Sequence, residues 1–501
     1  MIRRTLRLLA FVLIGLLGGG LAAFSCSSLR LPFGLTINSP DLFSRGGGKA
    51  VAEAELVQRI RVPEGFHIST WFGGIPNNRV LRFTDAGDLL VSSPRTSRIY
   101  LLKRDGNGDG KPDGSTILME GLNDPHGLAL RDGYLYVAET DAVLRVKFDA
   151  ASGTVHGDRE RIITGLPGGG NHWRRVIDFG PDGWLYVAVG SSCNVCIEDD
   201  PRRAAINRFE PTTWRGEIYA TGLRNSAGFD WQPGTDVLYA TDNGRDLLGD
   251  DFPPCELNRV TQGGFYGWPY ANGDKVPDPD FGTDQQKVAQ SLAPAFAFGA
   301  HNAPLGITFY EGTAFPERYR GAAFVALHGS WNRSTKAGYK VVALFFNPDG
   351  TIRQEDFITG FEENENVIGR PTYFAVGPDG ALYVSDDYSG AIYRVAYGDK
   401  VSGAAGVAVP QRISGDPLAG LDATNRRAAA DRGRISWDKH PCAACHMSEG
   451  TQAPGLHDLA KKYDINSLAD FLRSPQPPMP QFPMSDEERR DLAIYLLERF
   501  H

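Results

Sequence analysis

Ile177-Asp-Phe-Gly-Pro-Asp-Gly-Trp-Leu-Tyr-Val-Ala-Val189 and Phe374-Ala-Val-Gly-Pro-Asp-Gly-Ala-Leu-Tyr-Val-Ser385 are one phrase written twice, far apart in the chain. Each has an apolar-alternating run, a Pro-Asp-Gly turn and a Leu-Tyr-Val run. Asp-Gly accepts the φ > 0 geometry of tight hairpins, so each copy predicts two antiparallel strands. Working outward, the phrase recurs at Leu81 to Ser92 (LRFTDAGDLLVS), Leu128 to Ala138 (LALRDGYLYVA) and Phe229 to Thr241 (FDWQPGTDVLYAT). A longer copy runs from Ile307 to His328, its turn replaced by FYEGTAFPERYRG. The starts lie about 45 to 80 residues apart, room for one four-stranded unit plus loops, which is the period of a β-propeller blade. Six copies predict a mainly β architecture with six blades, over residues 50–398. A β-sandwich or two smaller barrels would give no reason for a fixed phrase.

The composition agrees. Of 501 residues, 59 are Gly and 32 Pro, a surplus of turn formers. With 52 Lys and Arg against 60 Asp and Glu the net charge is −8, which excludes a basic nucleic-acid-binding surface as the main business of the chain. A hydrophobic content of 42% excludes wholesale disorder, and 6 cysteines are too few for a disulfide scaffold. Residues 1–26 read as a signal peptide or membrane anchor: Arg3, Arg4 and Arg7 precede an uncharged stretch from Leu8 to Phe24, and Cys26 follows small residues. The expected compartment is the periplasm, with membrane attachment through the N-terminus left open. Asp105 to Asp113 has the alternating oxygen side chains of a calcium loop, but Thr116 replaces the closing acid, so a plain acidic hairpin is the alternative.

A second module follows. Residues 399–432 turn to Ala, Gly, Ser, Pro and Arg and read as a linker. Beyond it stands Cys442-Ala-Ala-Cys445-His446. Two thiols and a histidine at this spacing attach a c-type haem, with His446 as an axial iron ligand. Met479, in Pro477-Pro478-Met479-Pro480, is the expected second axial ligand; Met484 competes, and Met447 lies too close to His446. Ser485 to Glu488 is a capping box opening a helix through Leu492, Tyr495, Leu496 and Phe500. The span 433–501 resembles a small all-α class I cytochrome c. A haem with both axial positions filled transfers electrons and admits no substrate to iron.

Three blocks of the propeller resemble the soluble, pyrroloquinoline quinone (PQQ)-dependent sugar dehydrogenases, especially their L-sorbosone dehydrogenase-like branch. Asn171-His172-Trp173-Arg174-Arg175 resembles the family's catalytic histidine block and Gly222-Leu223-Arg224-Asn225 its cofactor pair. Asn243-Gly244-Arg245, Asp250-Asp251, Glu256-Leu257-Asn258 and Gly263 to Pro269 resemble its calcium segment. The resemblance implies His172 as the base that takes the hydroxyl proton of a sugar hemiacetal, a task suited to a side chain with a pKa of about 6.5. It implies hydride transfer to PQQ, with Arg224 and Ca²⁺ stabilising charge. Arg224, Asn225 and Arg370 are the implied PQQ contacts; a third basic group falls to Arg333 or Lys336, and the family's second arginine is Thr372 here. The implied Ca²⁺ ligands are backbone oxygens of Gly244, Arg245 and Tyr266 and the carboxylates of Asp251 and Glu256, with Asp250 as an alternative to Asp251. Where aldose-oxidising relatives carry an acid 19 positions after the histidine, this chain has Ser191, which weakens glucose as the substrate.

Cys193 and Cys196 have no following histidine and predict a local disulfide, or a pairing of either with Cys255. His126 reads as a structural turn histidine, while His301 and His328 stay open as pocket residues. The expected protein is a quinohaemoprotein dehydrogenase: PQQ and Ca²⁺ in the propeller, haem c bonded to Cys442 and Cys445, an aldose- or sorbosone-like substrate, and a periplasmic or respiratory electron acceptor. A calcium-dependent lactonase on the same architecture, or a non-catalytic propeller of a redox assembly, are the alternatives.

Overall fold

The computed structural model describes residues 29–30, 36–37, 52–398, 418, 421–440, 442, 456, 459, 463–473, 475 and 482–500. The chain divides into two compact units, Met1–Ala405 and Gly406–His501.

In the first unit every copy of the repeated phrase forms the two innermost strands of a four-stranded antiparallel sheet, and there are six such sheets. Blades 1 to 6 begin with the innermost strands Leu81–Phe83, Leu128–Arg131, Arg175–Phe179, Gly228–Trp231, Pro304–Phe309 and Pro371–Val376. The second strands, such as Leu89–Ser93, Leu185–Val189 and Ala323–Leu327, are buried along their whole length. Each is covered on both faces by neighbouring blades, which is why Leu185–Val189 and Ala323–Leu327 read as unbroken apolar runs rather than as an alternation. Outermost strands such as Thr154–Thr164 are largely exposed. Near the axis the innermost strands crowd: a Cβ on Gly228 would lie 2.3 Å from the Leu305 carbonyl oxygen, and one on Gly306 2.7 Å from that of Thr372. Part of the glycine surplus is therefore a demand of close strand approach, in addition to turns.

The phrase repeats because its polar residues lock the hairpin. In blade 3 the Gly183 N–H donates to Gly180 O (2.8 Å), the Trp184 N–H to Asp182 Oδ1 (3.1 Å), and the Tyr186 hydroxyl to Asp182 Oδ2 (2.9 Å). Blade 6 copies this with Gly380, Ala381 and Tyr383 around Asp379. An arginine on the third strand completes each set: Arg208 Nη1 lies 3.1 Å from Asp182, and Arg394 Nε 2.7 Å from Asp379. The same Tyr–Arg cross-strand register recurs as Tyr136↔Arg145 in blade 2 and Tyr239↔Arg259 in blade 4.

The ring closes with mixed ends. The outermost strand of blade 6 is Phe66–Phe72, which enters before blade 1 and pairs antiparallel with Ile392–Tyr397, Phe66 opposite Tyr397 and Thr70 opposite Tyr393. Phe66 is buried edge-on against Phe315, Tyr319 and Phe357 at centroid distances of 4.8, 5.2 and 5.0 Å, so the closing strand is anchored in the core between blades 5 and 6.

In the second unit the described helices are Ala423–Lys439, Ile465–Arg473 and Asp486–Arg499. The capping box is formed: the Glu488 N–H donates to Ser485 Oγ (3.1 Å) and the Ser485 N–H to Glu488 Oε2 (2.7 Å). Leu418, Trp437, Cys442, Met484, Leu492 and Leu496 share one buried cluster. Cys445, His446 and Met479 lie outside the described residues, as do residues 1–26. Among the described residues no helix is long and apolar enough to cross a membrane.

Removing the ring of Phe66 takes the anchor from the closing strand. Phe66→Ala is expected to lower the propeller's stability by about 3–5 kcal/mol, read as a lower urea midpoint of tryptophan fluorescence.

Candidate active site

Antiparallel blades bring the starts of the innermost strands and the ends of the second strands to the same face of the ring. A cavity of about 550 Å³ opens there. Four of the six blades set a basic side chain just before the innermost strand, and Arg79, His126, Arg174 and Arg370 all line this cavity. His172, Arg224, Asn225, Gly244, His301, His328 and Asp387 line it as well. A second cavity of about 350 Å³ runs along the innermost strands themselves, around the Arg82–Asp178 ion pair and Asp230, whose carboxyl burial pushes up to about 7.

His172 sits on a loop whose carbonyls are held by buried arginines. Arg175 Nη1 donates to His172 O (2.9 Å), and Arg203 Nη2 to the carbonyls of Pro167 (2.9 Å) and Gly168 (2.6 Å). Gly190 leaves room for the ring: a Cβ there would lie 2.5 Å from His172 Cβ and 2.8 Å from Asn225 Oδ1. The imidazole Nδ1 lies 3.0 Å from Ser191 O and 2.9 Å from Ser191 Oγ. A carbonyl only accepts, and the Ser191 hydroxyl donates to Cys193 O (2.7 Å). Nδ1 therefore carries the proton, and the neutral ring keeps its lone pair on Nε2. Burial, reinforced by the Arg224 charge, holds the ring's pKa down to about 3. Ser191 is itself buried beneath the histidine.

Cys193 and Cys196 form a disulfide, and Cys255 is a free buried thiol. The bridge closes a short loop whose Asn194 grips Arg224. Arg224 Nε donates to Asn194 O (2.9 Å) and Nη2 to Asn194 Oδ1 (3.0 Å). The remaining donors reach Gly244 O (2.9 Å), Asn243 O (3.2 Å) and the Asp246 carboxylate (2.9 Å). One four-residue loop thus orients both His172, through Ser191 and Cys193, and Arg224, through Asn194. On the far side of the cavity Asp387 is a hub, accepting from Arg79 Nη1 (2.6 Å), Arg370 Nη2 (3.0 Å) and His328 Nε2 (2.9 Å). The cations around it hold Asp387 well below the usual carboxylate range, against its burial, while burial lowers His328 to about 4.

The expected ligand residues separate. His172, Arg224, Asn225, Gly244 and Arg370 are gathered around one cavity; Arg333 and Lys336 are not among its lining. Arg333 reaches Asp250 O (2.8 Å) and Asp251 Oδ1 (3.1 Å), and Lys336 is buried against Glu365 (3.1 Å). Thr372 is wholly buried with its hydroxyl on Ser385, so this position brings no charge to the cavity. Asp251 is exposed. Arg245 spends its guanidinium on Asp278 and Asp280 (2.5 and 2.6 Å), and the Tyr266 hydroxyl donates to Arg259 O (2.6 Å). Glu256 is buried opposite Asp242 in the strand register. Burial pushes Glu256 up to about 7, and burial with the Glu256 charge holds Asp242 well above the usual carboxylate range. Two desolvated carboxylates side by side fit a nearby hard cation, which would relieve both. Asp105 already accepts from the backbone N–H groups of Gly108 and Gly110, and Asp113 from that of Gly106. Sequence reasoning missed Arg79, Arg174, Asp387, Asn194 and Asp246; for Arg174 the signal was its place in the quoted histidine block.

A family model described as "Domain of unknown function (DUF7133)" matches residues 83–435. The chain belongs to this family. An uncharacterized protein of Borreliella burgdorferi is 30% identical to this DUF7133 chain over 362 residues, 69% of the chain and 93% of the relative. Aldose sugar dehydrogenase YliI of Escherichia coli is 25% identical over 249 residues, 45% of the chain, which spans 60% of that enzyme's length. The solved holo form of the pyranose dehydrogenase PQQ domain from Coprinopsis cinerea shares the fold, with a TM-score of 0.58 at 22% identity over 68% of this chain and 97% of that one. Cytochrome c-552 of Bradyrhizobium diazoefficiens is 36% identical over 88 residues, 16% of this chain and 85% of its own.

Two outcomes follow from the geometry. Unfolding releases His172 to protonate at about pH 6.5, so between there and pH 3 the unfolded chain binds more protons and stability falls with falling pH. From pH 7 to pH 4 the wild type is expected to lose more urea midpoint than His172→Gln. Replacing both Cys193 and Cys196 by serine is expected to cost about 2 kcal/mol, the loop-closure entropy of so short a ring, seen in the same denaturation experiment.

Proposed function

We propose that this DUF7133 protein is an exported, periplasmic quinohaemoprotein dehydrogenase that oxidises an aldose- or sorbosone-like sugar. The observation that carries the reading is the cavity itself, where a histidine with a bare Nε2 stands beside arginines in excess of carboxylates. PQQ bears three carboxylates, and this charge excess fits it. When bound, the quinone would supply a two-electron acceptor for hydride from the anomeric carbon, and haem c a one-electron acceptor beyond it.

The chain's own groups do the rest. His172 Nε2 accepts the hydroxyl proton, while Ser191 O and Oγ keep the Nδ1 proton in place and fix the ring plane. Burial, reinforced by the Arg224 charge, makes the ring a weak base; an anionic ligand would offset the Arg224 part of that depression. Arg224 and Asn225 hold the ligand on one side and Arg370 on the other. Glu256 and Asp242, with the backbone oxygens of Gly244, Arg245 and Tyr266, are the proposed surroundings of Ca²⁺, while Asp251 stands exposed on Arg333. Cys442 and Cys445 would bond the haem, with His446 and Met479 on iron. Similarity to the E. coli aldose sugar dehydrogenase and to the rhizobial cytochrome c-552 supports this pairing of activities in one chain.

The test is to add PQQ and Ca²⁺ to the purified full-length haemoprotein and follow haem reduction by absorbance across aldoses, sorbosone-like sugars and polyols. At least one is expected to reduce the haem, and His172→Ala to slow reduction by about 10²–10⁴-fold. No reduction by any substrate, or full activity in His172→Ala, overturns the reading. Met479→Ala, but not Met484→Ala, is expected to abolish the low-spin methionine-ligated spectrum.

A further inference from the structure

The cavity is out of electrostatic balance in one particular place. Arg79, Arg95, Arg174, Arg224 and Arg370 line it together with two carboxylates, Asp246 and Asp387. Both acids are already engaged, Asp246 by Arg224 (2.9 Å) and Asp387 by Arg79 (2.6 Å) and Arg370 (3.0 Å). Among the described residues Arg174 has no carboxylate within ion-pair distance, and its Nε is buried without a hydrogen-bond partner. The neighbouring Trp173 ring lies 5.3 Å from the guanidinium. Desolvation, followed by repulsion from Arg79, pulls its pKa down to about 9, and the more distant Asp387 charge offsets only part of this. Removing a guanidinium from water without a carboxylate in direct contact is costly and makes sense where an anion arrives to complete the site. Arg174 is also two residues from His172 and lines the same cavity, so whatever it holds is placed beside the proposed base.

We infer that Arg174 anchors a carboxylate of the molecule that fills the cavity. A carboxylate suits a planar guanidinium fork, which can donate two parallel N–H bonds to it. The carboxylate has two sources: the quinone cofactor, or a substrate that is itself an acidic sugar such as a uronate. The inference rests on the dehydrogenase reading only for the first source; the second stands without a quinone.

Calorimetric titration of the full-length haemoprotein with PQQ, with D-glucuronate and with the neutral methyl ester of D-glucuronate separates the cases. Arg174→Gln and Arg174→Met remove the charge with different polarity, Arg174→Lys keeps it, and ligand-free melting curves show which variants are folded. A loss of at least tenfold in affinity is expected in the neutral variants, largely restored by lysine. If the loss is confined to PQQ, the carboxylate is the cofactor's. If it is confined to glucuronate while the ester binds wild type and variants alike, the substrate is an acidic sugar. If PQQ fails to bind the wild type yet glucuronate binds and depends on Arg174, the dehydrogenase reading falls and the anchor stands. If PQQ binds and supports haem reduction equally in wild type and neutral variants, and glucuronate binding is unchanged or absent, the anchor is overturned and the dehydrogenase reading stands. Wild type that binds neither probe overturns both.

Discussion

The pairing of Phe66–Phe72 with Ile392–Tyr397 is the constraint on which the rest of the propeller depends. Six sheets that merely follow one another along a chain have no centre. Closing the sixth with a strand from the N-terminal side makes the ring cyclic, and only then do the starts of six innermost strands face a common axis. The aromatic cluster around Phe66 gives that closure its energy, because the strand's own backbone bonds replace bonds to water and contribute little net.

Most of this architecture was legible in the sequence. The six phrases are the inner hairpins of the six blades, and the glycines and aspartates mark their turns. What could not be read was the closing strand, since Phe66–Phe72 carries no copy of the phrase and its partner lies at the other end of the propeller. The third-strand arginines that complete the Asp–Tyr sets were also invisible, because they sit outside the phrase at varying distances. The site was legible wherever a residue stood in a compact block: His172, Arg224 and Arg370 do line one cavity. It was illegible where function depends on which way a loop turns. Arg333 and Lys336 look like free cations in SWNRSTK, yet the fold turns them onto Asp250, Asp251 and Glu365. Arg79 and Asp387 come from opposite ends of the propeller and meet because the ring closes.

Charge is arranged by blade. Blades 3 and 4 contribute Arg224 and Asp246, already mutually neutral, and blades 6 and 1 contribute the Asp387 hub with Arg79 and Arg370. Arg174 of blade 3 belongs to neither ion-paired group, and its Nε is buried without a hydrogen-bond partner. The disulfide loop stands at the junction, with its serine neighbour under His172 and its asparagine on Arg224, so the spacing of the two groups is set by covalent structure and a few backbone bonds rather than by long mobile side chains.

The cavity walls run from Arg79 in the first blade to Asp387 in the last, and this has a thermodynamic corollary. No fragment of the propeller owns the pocket, so its occupancy is linked to the global unfolding equilibrium and not to a local one. A tightly held ligand would act as a keystone, raising the cost of parting Phe66–Phe72 from its partner even though it touches neither strand. Conversely, a nascent chain cannot load its pocket until synthesis has passed the sixth blade, which makes ligand uptake a report that the ring is whole.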